Sequence, residues 1–124
     1  MRVLFDTHAL LWYHLGDARL SATALSVMDD RFVSVASLWE IGIKVSKGKL
    51  ILNEPFVDFV QHAVHDNGFS LLPINAAHIE RLLGLPFHHN DPFDRILVAQ
   101  ALVDNVPLVT RDQDIVRYPI TQVW

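Results

Sequence analysis

The stretch Val3-Leu4-Phe5-Asp6-Thr7-His8-Ala9-Leu10-Leu11-Trp12 decides how the rest of the chain is read. Its first three residues are wholly apolar, the pattern of a strand buried on both faces. Asp6-Thr7 ends the run, and Leu10, Leu11, His14 and Leu15 follow at helical spacing up to Gly16. Working outward, Ser21 is placed to cap a second helix through Leu25 and Met28. Phe32-Val33-Ser34-Val35 reads as a second strand, and from Ala36 the apolar positions Leu38, Ile41 and Val45 fall on one helical stripe that ends near Gly48.

Pro55 suits a first helical position, with Phe56, Phe59, Val60 and Val64 as the apolar face of a helix ending at Gly68. Phe69 to Ile74 reads as a third strand, which Pro73 makes short or restricts to an edge. Ala76, Ile79, Leu82 and Leu83 mark another helix. Asp91-Pro92-Phe93-Asp94 opens the clearest one, running through Ile96, Val98, Ala99 and Leu102 to Asn105. Pro107 to Thr110 is a fourth strand and Ile120 to Val123 a fifth. Strands that alternate with helices make an α/β fold, a parallel sheet covered on both faces. In such sheets ligands bind beyond the carboxyl ends of the strands, where strand order reverses. Asp6 and Thr110 to Asp112 sit just after the first and fourth strands.

The 124 residues, 51% hydrophobic and 19% charged, suit one ordinary domain spanning residues 1–124 and exclude a disordered chain. The absence of cysteine excludes disulfides, thiolate metal sites and cysteine nucleophiles. Net charge is −4, so no global basic field attracts nucleic acid, which would need a local basic patch or a bound cation. No apolar run approaches the ~20 residues that span a bilayer. Asp6 falls where a signal peptide would begin its apolar stretch. A cytoplasmic location, away from membranes, is expected.

Six acids carry the chemical signal. Asp6 reads as a helix N-cap or as a ligand after the first strand. Asp112 and Asp114 compete for the corresponding place after the fourth strand. Glu40 lies among apolar and small neighbours, where a carboxylate is costly unless a cation or donor accompanies it. Lys44, one turn on, would supply an ordinary i,i+4 partner. Asp91 before Pro92 is a natural N-cap, and Asp94 then stands in the first turn, favourable to the helix dipole or available to a metal. Two carboxylates about 4 Å apart repel by ~4 kcal/mol at an effective dielectric of about 20. Several converging on one cleft would cancel a domain's stability of ~5–15 kcal/mol unless a cation neutralised them or some took up protons. Oxygen-only ligands select Mg²⁺, with Mn²⁺ as substitute.

With these residues in place, the chain resembles the PIN domain family, specifically its VapC-type toxin ribonucleases. The resemblance rests on Leu4 to Trp12, on Ser34-Val35-Ala36-Ser37-Leu38-Trp39-Glu40-Ile41-Gly42-Ile43-Lys44, on Leu71 to Ile74, on His89-Asn90-Asp91-Pro92-Phe93-Asp94-Arg95 through Ala101, and on Leu108-Val109-Thr110-Arg111-Asp112. It implies a three-layer sandwich whose five-stranded parallel sheet has the order 3-2-1-4-5. It implies that Asp6, Glu40, Asp94 and Asp112 are catalytic metal ligands, favouring Asp112 over Asp114. Thr7, Ser37 and Thr110 would orient carboxylates or waters around the ion, with Asp91 beside them. It also implies Mg²⁺-dependent hydrolysis of RNA phosphodiesters by water, a homodimer, and a cognate antitoxin protein as partner.

Arg95 and Arg111, each beside an acid, are the candidate phosphate contacts. Lys44, Lys47 and Lys49 read first as a solvated helix end. The His62/His65 and His88/His89 pairs lack further ligands at useful spacing for a transition metal, and Trp12, Trp39 and Trp124 read as core or interface material. Two other functions compete: a PIN-like protein-binding module without catalysis, and a nuclease acting on DNA, since nothing in the chain reads a 2′-hydroxyl. A phospho-receiver domain is excluded, because Phe69 to Asn75 offers no acceptor aspartate.

Overall fold

Val3, Leu4 and Phe5 lie inside β1 (Arg2–Phe5) and are fully buried. The structure, a computed structural model, describes residues 2–27 and 29–124. Met28, expected in the second helix, lies outside the described residues. β1 pairs in parallel with β2 (Asp30–Ser34) on one side and β4 (Leu108–Val109) on the other. β3 (Ser70–Leu72) flanks β2, and β5 (Gln122–Val123) flanks β4, giving the all-parallel order β3-β2-β1-β4-β5. This is the order the resemblance implied, with the proline-limited third strand at an edge.

The pleat sends alternate side chains of β1 into different cores. Val3 and Phe5 join Val33 and Val109 in a cluster with Ala9, Leu10 and Trp12 of α1 (Thr7–Leu15), Ile41 of α3 (Val35–Ser46) and Phe59 of α4 (Phe56–Val60). Leu4 and Leu108 face the other way, onto residues 96–99 and Ala101 of α6 (Pro92–Asp104), with Leu85, Ile115 and Tyr118. The wholly apolar sequence of β1 thus reflects burial on both faces. The remaining helices are α2 (Ala22–Leu25) and α5 (Ala76–Leu83). None is long and apolar enough among the described residues to cross a membrane.

Caps set most boundaries. Gly16 ends α1 at φ 65°, a left-handed conformation that glycine adopts without strain. Ser34 terminates β2 one residue earlier than expected: its side chain accepts from Ala36 N at 3.0 Å, so Val35 starts α3. Pro55 is the N-cap of α4, not its first helical residue, and α4 runs on as a π turn over Gln61–His65. A 3₁₀ turn at Ile115–Arg117 follows β4.

The functional consequence lies between β1 and β4, where the strand order reverses. The chain leaves β1 still tied to β4, with Asp6 N donating to Val109 O at 3.0 Å. Asp6 and Thr110 therefore emerge side by side at the carboxyl end of the sheet.

Candidate metal centre

Asp6 is buried and caps α1, its Oδ1 accepting from Ala9 N at 2.8 Å. Capping does not exhaust its chemistry. Burial drives its carboxyl above the usual range, and the neighbouring Asp112 charge pushes the same way. A hydrogen bond from Thr110, the Ala9 amide and His8 oppose the rise. Thr110 Oγ1 also accepts from Asp112 N at 3.1 Å, so this fully buried hydroxyl links the two strand-end acids.

Glu40 is buried on α3 and uses both oxygens. Oε1 lies 2.7 Å from Thr7 Oγ1, and Oε2 lies 3.1 Å from Lys44 Nζ. Thr7 Oγ1 is also 2.9 Å from Ser37 Oγ. With one proton to give, Thr7 donates to the carboxylate and accepts from Ser37. Ser37 is no helix cap, since Ser34 fills that place. The i,i+4 partner expected for Glu40 is present, and so is a hydroxyl that orients its other oxygen.

Asp91 and Asp94 divide the start of α6. Asp91 is the N-cap, its Oδ1 accepting from Phe93 N at 2.8 Å and Asp94 N at 3.3 Å. Asp94, partly buried, has its carboxyl pushed up to about 7, first by burial and then by the Asp91 and Glu40 charges, with Asp112 adding to them and His89 opposing. Asp112 Oδ1 accepts from Asp114 N and Ile115 N at 2.8 and 3.0 Å, shaping the turn after β4. Asp6 thus feels Asp112, and Asp94 feels both Asp112 and Glu40, so the four expected acids form one electrostatic neighbourhood.

His89 has a place in this neighbourhood that its sequence neighbours did not reveal. Its Nε2 lies 3.0 Å from Asp94 Oδ2 and 3.5 Å from Asp112 Oδ2. Its Nδ1 accepts from Asp91 N at 3.1 Å, which leaves the ring proton on Nε2, facing the acids. His89, Asp112 and Asp114 each offer a ligand atom within 4.8 Å of the others; Asp6, Glu40 and Asp94 stand outside that trio. A ring whose Nε2 carries its proton is a donor to carboxylates rather than a metal ligand. Asp114 is exposed at the rim.

Arg95 departs from expectation. It is 6% exposed, and its guanidinium points away from the acids. Nη1 donates to Pro86 O at 2.8 Å and Tyr118 Oη at 3.1 Å, and Nη2 to Leu85 O at 3.3 Å. The Phe87 ring covers it at 4.0 Å. Consecutive helical residues point about 100° apart, so adjacency to Asp94 puts Arg95 on a different side of α6. It is a buried tie for the loop before α6, not a phosphate contact. Arg111 is exposed, on the wall of a cleft of about 340 Å³ shared with Asp6, His8, Trp12, Arg19 and Asp112. Lys47 and Lys49 are exposed at the end of α3.

The donor set suits a divalent cation. The cluster is oxygen-only apart from His89, and two of its carboxyls are driven toward protonation by burial and mutual repulsion, which is a shortage of positive charge.

A parallel sheet of order 3-2-1-4-5 with acids at its switch point defines a class, and comparison with known families agrees: the PIN domain family profile matches residues 3–120. The chain belongs to the PIN domain family. Comparison with curated proteins gave no match. Among solved structures, a toxin–antitoxin complex from Klebsiella pneumoniae is similar at TM-score 0.67 and 20% identity, covering 94% of this chain and 92% of that one. VapBC2 from Rickettsia felis, bound to a DNA fragment from its promoter, gives 0.66 and 15%, covering 98% and 97%. VapBC-1 from nontypeable Haemophilus influenzae gives 0.64 and 16%, covering 98% and 96%.

Proposed function

We propose that this chain is a metal-dependent endoribonuclease, the toxin of a toxin–antitoxin pair, working with Mg²⁺ or, as substitute, Mn²⁺. The observation that carries the reading is the excess of buried negative charge at the β1/β4 switch point, where the Asp94 carboxyl is pushed up to about 7. Asp6, Glu40, Asp94 and Asp112 would hold the ion. When bound, such an ion supplies an acidified water and stabilises charge on phosphoryl oxygens. The protein's own groups do the rest. Thr7 fixes Glu40, Thr110 fixes Asp6 against Asp112, and the N-cap Asp91 presents Asp94 in the first turn of α6. His89 directs an N–H at Asp94 and Asp112. Arg111 remains as the rim cation for a phosphate.

The toxin assignment is supported by the similarity to toxin–antitoxin complexes and by two apolar grooves open to protein partners. One lies around Trp39, Ile79, Leu82 and Phe93, the other around Leu11, Leu15, Ile51 and Phe59. Trp39 is 65% exposed there, Leu15 68% and Ile51 82%.

Purified chain incubated with labelled single-stranded RNA and Mg²⁺ is expected to cut it. Asp6→Asn and chelation by EDTA should each abolish cleavage while circular dichroism stays unchanged. Cleavage by Asp6→Asn at the wild-type rate would overturn the reading. A DNA strand of the same sequence, tested in parallel, decides between the two nucleic acids.

A further inference from the structure

The cleft that begins at Asp6 and Asp112 continues to Trp12, Arg19 and Arg111. Trp12 is only 8% exposed. His8 stacks on it with centroids 5.6 Å apart, Trp124 meets it edge-on at 6.0 Å, and the guanidinium carbons of Arg19 and Arg111 lie 5.0 and 4.5 Å from its ring centre. A ring covered in this way offers no open face for stacking a base. It holds cations in place instead. Asp17 grips Arg19 through a fork, Nε to Oδ1 at 3.1 Å and Nη2 to Oδ2 at 2.8 Å. The Arg111 charge also reaches Asp17. One carboxylate thus stands against two guanidiniums and bonds only Arg19, leaving net positive charge on the outer wall of an otherwise acidic cleft. Arg111 is exposed and, among the described residues, in no ion pair within 4.0 Å.

We infer that Arg111 and Arg19, seated against Trp12, form a phosphate subsite that grips the nucleic-acid backbone in the same cleft as Asp6 and Asp112, without reading its base. The inference rests on the nuclease reading of the acids and adds where the strand runs. A phosphate there completes the Arg111 fork in the geometry that arginine favours, with the Asp17-held Arg19 charge beside it. The cleft then binds a strand despite the chain's net charge of −4, because its positive end lies next to its catalytic end.

The test is fluorescence anisotropy of 12-nucleotide 2′-O-methyl RNA strands, which resist cleavage, titrated with the full chain across a salt series. Arg111→Ala should weaken binding about tenfold and lower the salt slope by about 0.7, equally for adenine, uracil and cytosine homopolymers. Arg19→Ala should do the same to a smaller extent, because Asp17 already engages it. Arg111→Lys should restore part of the loss. If the wild type cuts no RNA yet Arg111→Ala still weakens strand binding, the subsite stands and the hydrolysis reading falls. If the wild type cuts RNA and both alanine variants bind strands as tightly as it does, the subsite falls alone. A loss confined to one base overturns it in favour of base readout. Weakened binding of a hexaglutamate peptide with intact strand binding overturns it in favour of a protein partner.

Discussion

Asp94 and Arg95 are neighbours in the first turns of α6, and both take charge out of water, but on opposite terms. The Arg95 guanidinium is surrounded by acceptors: the carbonyls of Pro86 and Leu85, the Tyr118 hydroxyl, and the face of Phe87. The Asp94 carboxylate faces the charges of Asp91, Glu40 and Asp112, with one imidazole to offset them. A buried charge whose partners are complete holds a fold together. One left in excess is a cost that the folded chain carries, and a ligand of opposite sign recovers it.

The contrast is sharpest in stability. Arg95→Ala should destabilise the protein by about 3 kcal/mol, because it strips donors from several buried acceptors at once; urea unfolding measures this. Asp94→Asn should do the reverse in EDTA at pH 8, leaving the protein as stable as wild type or more so. A loss comparable to that of Arg95→Ala would erase the distinction between the two residues.

The pH dependence is the next effect in size. Asp94 titrates at about 7 in the folded chain and near 3.8 as a free aspartate carboxyl, so between those values the folded state holds a proton that the unfolded state has released. Stability without metal should therefore fall as pH rises from 4 to 7 and level off above. Calorimetry in EDTA should give a higher Tm at pH 5 than at pH 8, and Asp94→Asn should remove that part of the slope. For the same reason, Mg²⁺ affinity should fall about tenfold per pH unit below ~7, since binding must displace the proton. The smallest effect belongs to Asp91. Asp91→Ala removes the α6 N-cap and should cost about 1 kcal/mol in urea unfolding.

The reach of the sequence differs between these residues for physical reasons. β1 was legible because burial on both faces leaves a mark in composition, Val3-Leu4-Phe5. Asp6 was legible because the acid stops that run. Strand order was not accessible from the residues alone, since Phe32 beside Ser70 is a long-range pairing, and only the family resemblance implied it. Arg95 misled because residues 95–101 of α6 are all buried, so the helix has no polar stripe to show which way a side chain points. His89 sits in an irregular loop, where no periodicity exists to read. Its one signal was position, two residues before the Asp91 N-cap whose amide its ring receives. Arg19 belongs to the short turn after Gly16, and its seat on Trp12 depends on how that turn folds back.

The outermost strands, β3 and β5, contain three and two residues. So few open backbone groups cannot template the growth of a continuous sheet from one molecule to the next, which protects a highly apolar chain from fibrous aggregation. In the proposed dimer, contact between copies would then run through side chains rather than main chain.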